Sequence, residues 1–119
     1  MIKYQANVTF IGPMVSEFIE NHILILFGES APEELMEFAI IHDGKNLIKP
    51  LAVNDSVQIG ESSYKVLAIG EVANTNLANL GHLVLKFNGN TSVEMPGDVC
   101  LEEKPLPPIQ VGEKIMIYD

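Results

Sequence analysis

Apolar and polar residues alternate along the first strand-length segment, with Tyr4, Ala6, Val8 and Phe10 on one side and Lys3, Gln5, Asn7 and Thr9 on the other. A period of two predicts a half-buried strand over Lys3–Ile11, which Gly12 and Pro13 end. Val15–Asn21 fits a short helical turn, and the β-branched, apolar run Ile23–Phe27 fits a buried strand closed by Gly28. Ser30, Pro32 and Glu33 then combine a plausible N-cap serine, an early proline and a glutamate three residues on, predicting a brief helix through Met36. The strand Phe38–His42 follows, and Asp43-Gly44 ends it, so His42 is expected on the lip of a turn, rigidly held and yet exposed.

Farther along, Ser56–Gly60 and Ser63–Ile69 read as a hairpin around Gly60-Glu61-Ser62. Leu77 and Leu80 lie at helical spacing within Asn74–Leu80, with Gly81 where a helix would stop, and His82–Phe87 reads as the next strand, ended by Asn88-Gly89. Pro105, Pro107 and Pro108 predict a stiff extended connector into a last strand, Val111–Ile117. About seven to eight short strands, roughly ten residues apart, with one or two short helices, predict a mainly β fold. The expected form is a small closed or partly closed barrel, with a sandwich as the alternative. No shift in composition divides the chain, so residues 1–119 read as one domain.

Composition narrows the function classes. A chain of 119 residues can bury roughly two-thirds of its unfolded surface without staples. Its longest apolar runs, Ile23–Phe27 and Phe38–Ile41, are too short to span a bilayer, and the N-terminus lacks the pattern of a secretory signal, so a cytoplasmic protein without membrane insertion is expected. The single cysteine, Cys100, forbids an internal disulfide and reads as a small buried hydrophobe. Seven lysines, no arginine and sixteen acidic residues give a net charge of −9, which repels a nucleic-acid backbone and favours encounter with a basic protein surface. Without arginine, a bound phosphate must lean on backbone N–H groups, lysine or histidine.

No phosphate-loop, nucleophile-elbow, zinc-protease or paired-cysteine motif occurs. Group-transfer chemistry therefore falls first to the three histidines, because a neutral imidazole can attack phosphorus with its own lone pair. His42 is the strongest of them, delivered to a strand end by apolar residues. His82 opens an apolar strand after Gly81 and is either a phosphate-orienting helper or a core histidine, while nothing converges on His22. A metal site of histidines with Asp43 would have no recognised ligand spacing, so neither metal nor cofactor is expected. The acidic run Glu33-Glu34-Leu35-Met36-Glu37 is a solvated helix face or part of a docking surface ahead of His42. A small β-barrel binding or regulatory module without phosphoryl transfer, and a metal-dependent small-barrel enzyme, are the competing classes.

The Tyr4-Gln5 strand ending at Ile11-Gly12, Ala31–Phe38 leading to Ile41-His42, Val66–Ala73, Asn76–Gly89, Pro96-Gly97 and the closing strand with Gly112 form a pattern along nearly the whole chain. That pattern resembles the glucitol/sorbitol-specific IIA component of the bacterial phosphoenolpyruvate-dependent sugar phosphotransferase system. The resemblance implies that His42 is the phosphorylated residue. It implies HPr as phosphoryl donor and a cysteine of the sugar-specific IIB component, working with IIC, as acceptor during uptake of a sugar alcohol. His82, or backbone N–H groups near Gly44, are then candidates for holding the transferred oxygens.

Overall fold

The computed structural model describes residues 1–119. Eight strands and three short helices run in the order β1 (Ile2–Ile11), α1 (Val15–Glu20), β2 (Ile23–Gly28), α2 (Glu33–Met36), β3 (Ala39–His42), β4 (Ser56–Ile59), β5 (Ser62–Ile69), α3 (Ala73–Leu80), β6 (Leu83–Lys86), β7 (Asp98–Leu101) and β8 (Lys114–Tyr118). The strands close into a barrel in the order β1-β3-β2-β6-β7-β5-β4-β8, so the closed form holds and the sandwich does not. Two neighbouring pairs, β2 with β3 and β6 with β7, are parallel and the rest antiparallel.

Period-two patterning fills the barrel. Tyr4, Ala6, Val8, Leu24, Leu26, Ile40, Val57, Ile59, Tyr64, Val66, Leu83, Leu85, Ile115 and Ile117 all belong to one buried core, as expected when alternate side chains face inward. β3 is buried on both faces. Ile40 joins the barrel interior, whereas Ala39 and Ile41 form a second, outer cluster with Phe27, against which Ile25, Ala31 and Met36 pack. This double burial accounts for the unbroken apolar run ahead of His42. Lys3 and Asp55 form a buried ion pair at 2.7 Å, and Lys3 Nζ also donates to the Pro50 carbonyl. No helix is long and apolar enough to cross a membrane.

Three short helices form where the sequence reading gives one or two, and three further details differ from it. The helix after Ser30 begins only at Glu33, with Pro32 in the N-cap position and no side-chain cap, so Ser30 does not perform the capping expected of it. β8 starts at Lys114, because Val111-Gly112 forms a turn in which Gly112 has φ of +94°. The sequence reading gives no strand at β7; its four residues, led by the charged Asp98, are too few to show a period, yet all are buried beside β6 and β5.

Candidate functional site

His42 is the last residue of β3, between β1 and β2, opposite Val8 on the antiparallel side and Gly28 on the parallel side. Its parity matches Ile40, so the side chain turns toward the barrel interior at one mouth. The β1–β3 register shifts between Val8 and Phe10, next to His42, a bulge of the kind that re-aims side chains beside functional sites. Beyond the strand end, Asp43 exchanges bonds with β1: its backbone N–H donates to the Asn7 carbonyl, and its carboxylate accepts from the Asn7 backbone N–H at 2.7 Å and from the Asn7 side-chain amide at 3.3 Å. These bonds hold the Asp43 carboxyl below the usual carboxylate range, and the neighbouring His42 adds to the effect.

Both imidazole nitrogens are engaged by backbone. Nε2 lies 2.7 Å from the Gly81 carbonyl oxygen, and the Gly44 N–H approaches Nδ1 at 3.0 Å. A carbonyl oxygen only accepts and an amide N–H only donates, so the proton resides on Nε2 and the lone pair on Nδ1. Burial holds the imidazole below its ordinary pKa, against the opposing pull of the Gly81 carbonyl and the charges of Asp43 and Glu29. The ring is therefore neutral at neutral pH, with one defined nucleophilic nitrogen.

The ring is only 1% exposed, which corrects the expectation of an exposed turn histidine. Tyr4 of β1 packs edge-on against it, with centroids 5.8 Å apart and planes at 86°, while Gly81 covers the far nitrogen. What remains open is a cleft of about 450 Å³ whose lining includes Tyr4, Glu29, His42, Asp43, Lys45 and Gly81. Lys45 is the cation of that cleft, and it is exposed. Gly81 ends α3 in the left-handed conformation at φ +65°; a Cβ there would stand 2.8 Å from His42 Cε1. Gly28 keeps the wall thin in the same way, because a Cβ on it would meet the Leu80 carbonyl at 2.8 Å.

His82 is not brought to this site. Inward residues of β6 are Leu83 and Leu85, so His82 projects to the other face of the sheet. Its Nδ1–H donates to the Leu26 carbonyl at 3.0 Å, and its ring lies 4.7 Å from that of Phe27. There it lines an apolar pocket with Phe18, Ile25, Leu35 and Phe38. The residue that contributes at position 81–82 is Gly81, through its carbonyl. His22, with φ of +63°, is exposed at the end of α1 and shares nothing with His42. Cys100 is buried in β7, where burial pushes its thiol pKa up. No three His, Cys, Asp or Glu side chains gather as a metal site. Tyr4 was missed in the sequence because its place in an alternating strand reads as core alone; only its contact with His42 distinguishes it.

A family model described as the glucitol/sorbitol-specific IIA component of the phosphotransferase system (PTS) matches residues 3–116. The chain is 38% identical over 98 residues to the PTS glucitol/sorbitol-specific EIIA components of Shigella flexneri and Escherichia coli (strain K12), covering 82% of this chain and 80% of each relative. Its fold superposes on the crystal structure of a PTS IIA component from Enterococcus faecalis V583 with a TM-score of 0.85 at 30% identity, covering 97% of this chain and 99% of that one. The chain thus belongs to the glucitol/sorbitol-specific IIA component family, and is a component of the sugar phosphotransferase system.

Proposed function

We propose that this chain, acting as a single IIA-type domain in the cytoplasm, is a phosphoryl carrier in which His42 is the phosphorylated residue. His42 accepts the group from phospho-HPr and passes it to a cysteine of the glucitol/sorbitol IIB component, which works with IIC during uptake of a sugar alcohol. The observation that carries this reading is the His42 imidazole itself, buried, neutral, and fixed in one tautomer by Gly81 and Gly44 at the side of an open cleft. Phosphoryl transfer passes through a loose transition state, so placing donor and acceptor in line supplies most of what a carrier needs. A nucleophile clamped by two backbone bonds on a closed barrel meets that requirement. The net charge of −9 favours encounter with basic partners.

The test is a reconstituted relay. Phosphoenolpyruvate, enzyme I, HPr and membranes bearing the IIB and IIC components are supplied with a sugar alcohol, with and without this chain. Sugar phosphate should form only when the native chain is present, and not with His42→Ala. Equal yields with the His42→Ala protein would rule out the carrier role at that residue and favour a binding or regulatory module.

A further inference from the structure

Tyr4 carries the one buried side-chain polar atom in the protein without a hydrogen-bond partner, its phenol oxygen. The residue is 3% exposed, and leaving such a donor unpaired is costly. Its surroundings are those of the site: the ring stands edge-on to His42, and a Cβ on Gly44 would fall 2.7 Å from Tyr4 Oη and Cε2. Gly44 is also the residue whose N–H bonds His42 Nδ1. The hydroxyl and the nucleophilic nitrogen therefore flank the same glycine, and only a residue without a side chain lets them do so. The main cleft and a second one, of about 420 Å³, share Tyr4, Asp43, Gly44 and Lys45 in their linings.

We propose that Tyr4 is a catalytic residue: its hydroxyl donates to an oxygen of the phosphoryl group as that group becomes bonded to His42 Nδ1. The inference rests on the carrier reading and deepens it by naming the accepting atom and its partner. In the forward step the Nδ1 lone pair forms the new N–P bond while the N–P bond of the donor phosphohistidine breaks. The donor ring retains its own N–H proton and leaves as neutral imidazole; the acceptor ring becomes a phospho-imidazolium whose Nε2–H points at the Gly81 carbonyl dipole. No proton crosses between the rings. The Gly44 N–H, displaced from the lone pair it now occupies, and the Tyr4 O–H both face phosphoryl oxygens, replacing the arginine this chain lacks. Burial and the nearby Asp43 raise the phenol pKa to about 12, so it remains a donor throughout the working range.

The test compares native, Tyr4→Phe and His42→Ala proteins in single-turnover phosphorylation by phospho-HPr, with the phosphorylated nitrogen read from long-range proton–nitrogen spectra of histidine-labelled protein. Tyr4→Phe should be phosphorylated on His42 at a rate roughly a hundredfold to a thousandfold lower, the scale of losing one such donor, with an unchanged or raised melting temperature because the unpaired hydroxyl is gone. The native spectrum should place phosphorus on Nδ1. Phosphorylation of Tyr4→Phe at the native rate, or phosphorus on Nε2, would overturn this inference while leaving His42 as carrier. A native protein that takes up no phosphoryl group would overturn the carrier reading as well.

Discussion

His42 Nε2 donates to the carbonyl oxygen of Gly81 at 2.7 Å, joining the end of β3 to the end of α3 across 39 residues of sequence. Together with the Gly44 N–H at Nδ1 that bond fixes the imidazole tautomer, and its acceptor belongs to Gly81, which is in the left-handed conformation.

Gly81→Ala should therefore act on stability and site together. The substitution forces φ of +65° on a residue with a Cβ and drives that Cβ toward His42 Cε1. A loss of about 1–3 kcal/mol is expected in urea unfolding, with slower phosphorylation of whatever remains folded. Native-like stability would show that the backbone at this turn accommodates a side chain.

Replacing Asp55 should be the most damaging change away from the site. Its carboxylate meets Lys3 Nζ at 2.7 Å and also accepts from the Ala52 N–H, with both charged side chains nearly inaccessible. Asp55→Ala leaves a buried ammonium unpaired, at a cost of about 3–5 kcal/mol. Adding Lys3→Met to that variant should recover part of the loss, and denaturant melts of the two variants measure it.

The pH dependence of stability carries a signature of His42. Its folded pKa is below the ordinary value of 6.5, chiefly through burial. Between the two values the unfolded chain binds a proton that the folded chain refuses. The contribution is thus complete above pH 6.5 and is lost as pH falls toward the folded value, with a slope of at most about 1.4 kcal/mol per pH unit. Urea melts between pH 7.5 and 5.5 should show a smaller acid loss for His42→Gln than for the native protein; identical slopes would mean that His42 is not held neutral by the fold.

His82→Gln should leave phosphoryl acceptance within about twofold of native, since the His82 ring packs on Phe27 and bonds the Leu26 carbonyl on the outer face of the sheet. A rate of phosphorylation by phospho-HPr reduced well beyond that would restore the helper role which its place after Gly81 suggests.

Much of the barrel was legible in the sequence because period two is a local signal. Tyr4, Ala6 and Val8, or Val57 and Ile59, declare their inward face without reference to the rest of the chain. β7 was not legible, since Asp98–Leu101 has no alternation and owes its strand to pairing with Val84–Lys86 and Val66–Ile69. The same division runs through the site. His42 at the end of an apolar strand is visible locally, and the resemblance gave it a role. Its burial, the engagement of Nδ1 by Gly44 and the phenol of Tyr4 depend on how residues 4, 42, 44 and 81 meet, and no spacing encodes that meeting. Strand parity, read only once the inward face of β6 is known, sends the His82 imidazole outward and leaves the backbone of Gly81 beside His42.

The most direct test of His42 as phosphoryl carrier is intact-mass spectrometry after incubation with phosphoenolpyruvate, enzyme I and HPr, run on native protein and on His42→Ala. The expected result is an acid-labile gain of one phosphoryl group on the native protein and none on the variant. The same gain on His42→Ala, or no gain on native protein beside active partners, would contradict it.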